Sequence, residues 1–222
     1  MQTNGGFDPV NRRRPDEVAV RVWGPFACFT RPEYATERVS YPVITPPAAV
    51  GVLSSIFWKP EFDWIITRIW VLAEPQWVSM TRNEVKKRAT LNVKINVLAD
   101  RTQRHNLFLR DVDYVIFARL SLRPHASDPV AKYRDQFRRR VERGAFFAPP
   151  YLGLREYAAS FAPVDIAGTR PLSSLTIPVG PMSLDLGYHG DDGRLTEPEF
   201  FGATVTGGVL DDIPVPARLK GR

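Results

Sequence analysis

Side chains able to do nucleophilic, metal or acid–base chemistry are sparse in this chain. Its three histidines, His105, His125 and His189, are scattered with no HExxH-like spacing. A histidine-based metal centre is therefore not expected. The single cysteine, Cys28, leaves no internal disulfide and no cysteine-rich zinc site, which fits a reducing compartment. Neither a Walker loop nor a dinucleotide fingerprint occurs. The abundant functional side chain is arginine, 24 of the 30 basic residues. Over residues 80–110, eight basic residues (Arg82, Lys86, Lys87, Arg88, Lys94, Arg101, Arg104, Arg110) stand against Glu84 and Asp100, a local net charge of +6. Residues 128–143 hold six basic and three acidic residues, net +3, whereas 181–212 hold seven acidic residues and one arginine, net −6. The charge is segregated. A concentrated basic stretch is the footprint of a polyanion binder, and its alternative is a solvated arginine-rich face.

Those residues need elements to position them. With 222 residues, 44% hydrophobic and 24% charged, the chain is long enough to bury a core unaided, and wholesale disorder is excluded. No apolar run reaches membrane-spanning length, and the stretch 64–73 is interrupted by Arg68. Residues 1–16 lack an apolar signal core and read as a loose arm, so a cytoplasmic protein is expected. Residues 17–23 alternate with a period of two and predict a strand, broken by Gly24-Pro25. Pro46-Pro47 opens an apolar run over 48–57, read as a helix that takes the prolines in its first turn and ends near Trp58, where Lys59-Pro60 stops it. A strand is predicted over 63–72. Residues 77–82 read as a strand end leading into a basic stretch without a clean period, and 111–122 alternate again as a strand.

Residues 128–143 predict an amphipathic helix, with Val130, Tyr133, Phe137 and Val141 toward the core and Lys132, Arg139 and Arg143 toward solvent. Ser127 or Asp128 would cap it and Gly144 would end it. The remainder is rich in Pro and Gly with strand-like pieces at 184–188 and 200–205. This order suits an α+β, ferredoxin-like sandwich similar to RNA-recognition modules, although the aromatic RNP1 signature is absent.

Several blocks, in order, carry a more specific likeness. The stretch 20–60 (VRVWGPFACFTRPEYATERVSYPVITPPAAVGVLSSIFWKP), TRNEV at 81–85, AKYRDQFRRRVERG at 131–144, PYLGLREY at 150–157, LDLGY at 184–188 and PEFFGA at 198–203 together resemble the CRISPR-associated RAMP-superfamily subunit of family five, in its type I-C form. The resemblance implies a ferredoxin-like domain over 17–165 and a small β-rich domain over 166–222. It implies a metal-independent endoribonuclease, without cofactor, that cuts the repeat of pre-crRNA. The same subunit then holds the 5′ handle of the mature crRNA in the surveillance complex, against the large subunit and the repeating backbone subunit.

Metal-free RNA cleavage uses the adjacent 2′-hydroxyl as nucleophile, and needs a base, a cation near the phosphate and a proton donor for the leaving 5′-oxygen. The family's processing site combines a tyrosine before the WKP block with a lysine–histidine pair at the start of the second helix. In this sequence these positions hold Phe57, Lys132 and Tyr133. Lys132 is retained, Phe57 has no hydroxyl, and Tyr133 replaces an imidazole with a phenol. The helical stripe also assigns Tyr133 to the core, and His125 in the preceding loop is a substitute base. Arg82 and Asn83 are candidate RNA contacts, with an Arg82–Glu84 ion pair as the alternative. Lys86, Lys87, Arg88, Arg139 and Arg143 are further candidates, with solvated surface as theirs. Arg155 and Glu156 are expected to pair with each other. Phe57 and Trp58 are expected to pack, and Phe26, Phe29 and Tyr41 are either core residues or stacking platforms. Two functions follow: an active processing nuclease, or a non-catalytic subunit that caps the handle.

Overall fold

A computed structural model describes residues 16–34, 36–87, 90–91, 94–187 and 197–220. Arg88, the arm over 1–15 and Tyr188 lie outside the described residues. Eight strands and two α-helices follow in the order β1 (Val18–Ala27), α1 (Pro46–Ile56), β2 (Phe62–Val71), β3 (Gln76–Val85), β4 (Arg101–Leu122), α2 (Val130–Glu142), β5 (Ser160–Ala162), β6 (Ile177–Asp185), β7 (Glu199–Val205) and β8 (Val209–Leu210). The main sheet is antiparallel with the order β5-β1-β4-β2-β8, and β3 also pairs with β4. β6 and β7 form a separate two-stranded sheet. The result is a mixed α/β architecture.

The alternation seen in the sequence explains β1. Val18, Val20 and Val22 are buried, while Arg21 and Trp23 face out. α1 begins at Pro46, because Thr45 adopts an extended conformation and its side chain accepts a hydrogen bond from the Ala48 N–H. Both prolines then fall in the first turn, where a missing N–H costs nothing. α2 buries Tyr133, Phe137 and Val141 as its periodicity requires. Its expected cap is corrected. Pro129 occupies the N-cap position with no side-chain cap, and Asp128 instead reaches forward to Lys132, 2.8 Å away.

Both helices and one sheet face enclose the principal core, which also takes in Val179, Met182, Val205, Leu210 and Leu219 from the C-terminal part. The opposite sheet face is covered too. Trp70, Val115, Phe117 and Val209 are buried there beneath Val164 and Ile166, and the Arg68 guanidinium lies 4.2 Å over the Phe117 ring. The sheet therefore offers no open aromatic platform of the kind RNA-recognition modules use.

The largest departure from expectation is the stretch 76–110. It forms a long hairpin in which β3 pairs with the first half of β4, from Gln76↔Arg110 to Val85↔Arg101. Asp111, at φ 51°, marks the turn-over point in β4. Beyond it β4 pairs with β2, from Tyr114 to Leu122. Most of β3 is exposed or half-exposed. A ribbon wet on both faces leaves no period of two in its apolar residues, which is why the hairpin is hidden in the sequence.

Candidate functional site

Two places in this fold gather the candidate residues. The first is the junction between the end of α1 and the start of α2. Phe57, the C-cap of α1, is 5% exposed and stacks on Phe62 with ring centroids 5.5 Å apart. Tyr133, in the first turn of α2, lies 5.5 Å from the same Phe62 ring, and Phe62 meets Trp64 edge-on. Two distant parts of the chain are thus joined through one aromatic cluster. Trp58, expected to pack, is instead 56% exposed, because the chain leaves the helix in an extended conformation at Phe57.

Around this cluster lie the polar candidates. Tyr133 is buried, as the helical stripe requires, and its hydroxyl has no well-formed hydrogen-bond partner. Burial pushes its phenol above the ordinary tyrosine range, and the negative charges of Glu61 and Asp128 add to the effect. The phenol is therefore neutral at physiological pH, which makes it a poor base and an intact proton donor. Lys132 points to solvent beside it, and the hydrogen bond from its ammonium to Asp128 raises its pKa further. His125 is exposed, and its Nε2 lies 3.1 Å from the Pro60 carbonyl oxygen. In a neutral ring Nε2 must carry the proton to donate to that carbonyl, leaving Nδ1 as the acceptor. A backbone hydrogen bond from Arg123 to the Glu61 carbonyl and an Arg123–Asp63 ion pair (2.8 Å) hold this loop against the start of β2.

The second place is a groove lined by three arginines, Arg38, Arg82 and Arg155, two glutamates, Glu84 and Glu156, and Asn83 and Leu154. It forms where the turn-proximal part of β3 meets the PYLGLREY loop. Here both expected ion pairs are corrected. Arg82 pairs with Glu156 rather than with Glu84, and Arg155 is left to the solvent-facing rim. The Arg82–Glu156 bond is bidentate, holding the carboxyl below its ordinary range. Glu84 instead lies between Arg38 (3.0 Å) and Arg104 (3.5 Å). Proximity in space, not in sequence, chose these partners: alternate residues of a strand point the same way, yet they are too far apart to compete with a facing loop.

The remaining candidates are spread around these two places. Lys86 and Lys87 are exposed at the far end of β3, where Lys87 pairs with Asp100 at 3.1 Å. Arg139 and Arg143 are exposed along α2 on the side that carries Lys132. Phe29 and Tyr41 belong to the core, whereas Phe26 is 39% exposed and edge-on to Phe108. Sequence reasoning did not single out Arg38 or Arg104. Both are recruited by Glu84, whose position became meaningful only when the hairpin was formed. Among the described residues, no group of three or more His, Cys, Asp or Glu side chains is placed to hold a metal ion. No helix among them is long and apolar enough to cross a membrane.

A protein from Thermus thermophilus described as a CRISPR pre-crRNA endoribonuclease, Cas5d, is 48% identical over 178 residues, covering 80% of this chain and 76% of the relative. A protein from Mannheimia succiniciproducens with the same description is 36% identical over 222 residues, covering 90% of this chain and 96% of the relative. The crystal structure of a CRISPR-associated protein superposes with a TM-score of 0.65 at 22% identity, covering 88% of this chain and 90% of that one. A functionally uncharacterised Streptococcus mutans protein superposes equally well, at 0.65 and 21% identity, over 89% of this chain and 92% of its own. These two likenesses speak for the fold alone. The sequence profile of the CRISPR-associated protein Cas5 family, in its Cas5d form, matches residues 17–206, and on that match and those two relatives the chain belongs to the Cas5 family, Cas5d branch.

Proposed function

We propose that this protein is a pre-crRNA endoribonuclease that keeps the 5′ handle of its product. The observation that carries the reading is the meeting of Phe57 and Tyr133 on the shared Phe62 ring, with Lys132 at the rim. The positions that the resemblance marks for processing, Phe57, Lys132 and Tyr133, lie around that junction, which supports the reading. In the proposed reaction the 2′-oxygen attacks the adjacent phosphorus, and the bond to the 5′-oxygen breaks. Lys132, drawn from Asp128 to the phosphate, offsets the charge that builds on the equatorial oxygens. Nδ1 of His125 takes the proton from the 2′-hydroxyl, and a neutral donor returns one to the departing 5′-oxygen. Tyr133 is limited to donation by its neutral phenol. The cationic groove at Arg38, Arg82 and Arg155, and the hairpin carrying Lys86, Lys87 and Arg104, are assigned to the RNA backbone. Arg139 and Arg143 extend the same charge along α2.

The order β5-β1-β4-β2, with α1 and α2 on one face, supports a ferredoxin-like assignment for 17–165, elaborated by β3. We assign 166–222 to a small β-rich unit that adds β8 to the main sheet, and 1–16 to an arm. The partners we propose are pre-crRNA, the mature 5′ handle, and the large and repeating backbone subunits of a type I-C complex in the cytoplasm.

A second reading, a handle-capping subunit without nuclease activity, draws on three observations: Phe57 has no hydroxyl, Tyr133 is buried, and Lys132 is already paired. Incubation with the protein's own repeat RNA in EDTA separates the two. The nuclease reading expects one cut, leaving a 2′,3′-cyclic phosphate upstream and a 5′-hydroxyl downstream. A cut lost on chelation, or one leaving a 3′-hydroxyl, contradicts 2′-hydroxyl attack without metal.

A further inference from the structure

One side of α1 carries a glycine that the protein itself does not need. Gly51 is mid-helix, where glycine is the poorest helix former apart from proline. A Cβ built there meets no atom within 4 Å. Gly153 is the contrast: at φ +84° its Cβ would fall 2.0 Å from the Cys28 carbonyl oxygen, so the close approach of its loop to β1 demands glycine. Gly51 has no such reason inside the molecule.

What Gly51 lines is a cavity of about 290 Å³ between α1, the end of β1, the loop through Tyr151 and Gly153, and β6. Its wall combines Ala48 and Gly51 with the hydroxyl-bearing Thr30, Thr45, Tyr151 and Ser183, and among the described residues no charged side chain lines it. A neutral, half-apolar wall with scattered hydroxyls suits a flat heteroaromatic ring with hydrogen-bonding edges and does not suit a phosphate. The cationic groove is next door. Tyr151 and Gly153 face the cavity, and Leu154, Arg155 and Glu156 of the same loop face the groove. One loop therefore has a place for phosphates on one side and a place for a base on the other. Its attachment to β1, through the Cys28 N–H to Leu152 carbonyl bond of 3.1 Å, keeps both in fixed relation.

We propose that this cavity receives one unpaired nucleobase of the bound RNA, with Gly51 left bare so that the base lies against the α1 backbone. The proposal rests on the RNA-binding reading above and deepens it by naming where base identity is read. Filling the cavity from the helix tests it. Gly51→Leu projects into the space, and Gly51→Ala adds only the Cβ for which there is room, so its melting temperature should hold or rise. Both are measured beside wild type and Arg82→Glu, against the protein's own repeat RNA and a series of repeats each carrying one abasic nucleotide. Wild type should lose at least tenfold in affinity at one abasic position. Gly51→Leu should lose at least tenfold on intact repeat and no longer distinguish that position, with Gly51→Ala intermediate. Arg82→Glu should weaken every RNA alike. Wild-type affinity in folded Gly51→Leu overturns the pocket, and if Arg82→Glu is impaired in the same assay the RNA-binding reading stands without it. Wild type that does not bind the repeat overturns both. Should Gly51→Leu not fold, wild-type affinity and discrimination in Gly51→Ala, together with no sensitive abasic position, overturn the pocket equally.

Discussion

In the proposed reaction, Lys132 is the residue on which the chemistry turns. It is solvent-facing and held by Asp128 at 2.8 Å, so alanine there disturbs no packing. Lys132→Ala should slow cleavage by roughly a hundredfold, the usual scale for losing one group that stabilises transition-state charge. Repeat affinity should fall far less, and single-turnover rates beside binding titrations separate the two. The pH profile gives an independent check. Lys132 and Tyr133 are both shifted upward, so each keeps its proton beyond its ordinary range, and neither changes charge between pH 6 and 9. The shape of the rate profile over that window should therefore be the same in wild type and in Lys132→Ala, even where the rate is lower. A limb present in wild type and lost in Lys132→Ala would contradict the upward shift. The core position of Tyr133 was legible from its three- and four-residue spacing with Phe137 and Val141. The pairing of Arg82 with Glu156 was not, because it joins residues 74 apart in sequence that only tertiary structure brings together.

At the level of elements, the β3–β4 hairpin and the PYLGLREY loop form the edge proposed to face RNA. Lys86→Glu with Lys87→Glu reverses charge on an exposed ribbon that contributes little to the core. The double variant should keep its melting temperature and lose repeat affinity at least tenfold near 0.1 M salt. Its log-affinity against log-salt slope should be shallower by about one to two, since fewer counterions are released. An unchanged slope would remove the hairpin from the interface. The loop is more brittle. Gly153→Ala forces a Cβ into the Cys28 carbonyl at positive φ, and should cost about 2 kcal/mol or more in denaturant unfolding. These elements differ in how far the sequence announced them. β1, α1, β2 and α2 each bury one face and so imprint a period. The hairpin buries neither face through most of its length, and left only a run of charge.

Over the whole molecule, the C-terminal third is bound to the rest by burial and by ions. Leu210 of β8 pairs with Ile69 of β2, and Met182, Val205 and Leu219 join the principal core. Arg218 reaches both Asp185 and Asp63, and Asp63 is also held by Arg123 in the loop that bears His125. Truncation after Ala167 exposes that core and should give insoluble or unfolded chain, read by circular dichroism and solubility. A folded, monomeric remnant with the full chain's melting temperature would contradict this shared core. The charge segregation visible in the sequence is partly spent inside the fold, where Asp185 pairs with Arg218 and Glu199 accepts from the Ala217 N–H. The central claim, that this arrangement cuts RNA, is tested most directly by single-turnover cleavage of the protein's own repeat at saturating concentration, in wild type and in Phe57→Tyr. The nuclease account predicts cleavage by wild type and faster cleavage once the hydroxyl is placed beside Phe62. Intact RNA with both proteins, at concentrations where the RNA is fully bound, would contradict it and leave the handle-capping subunit.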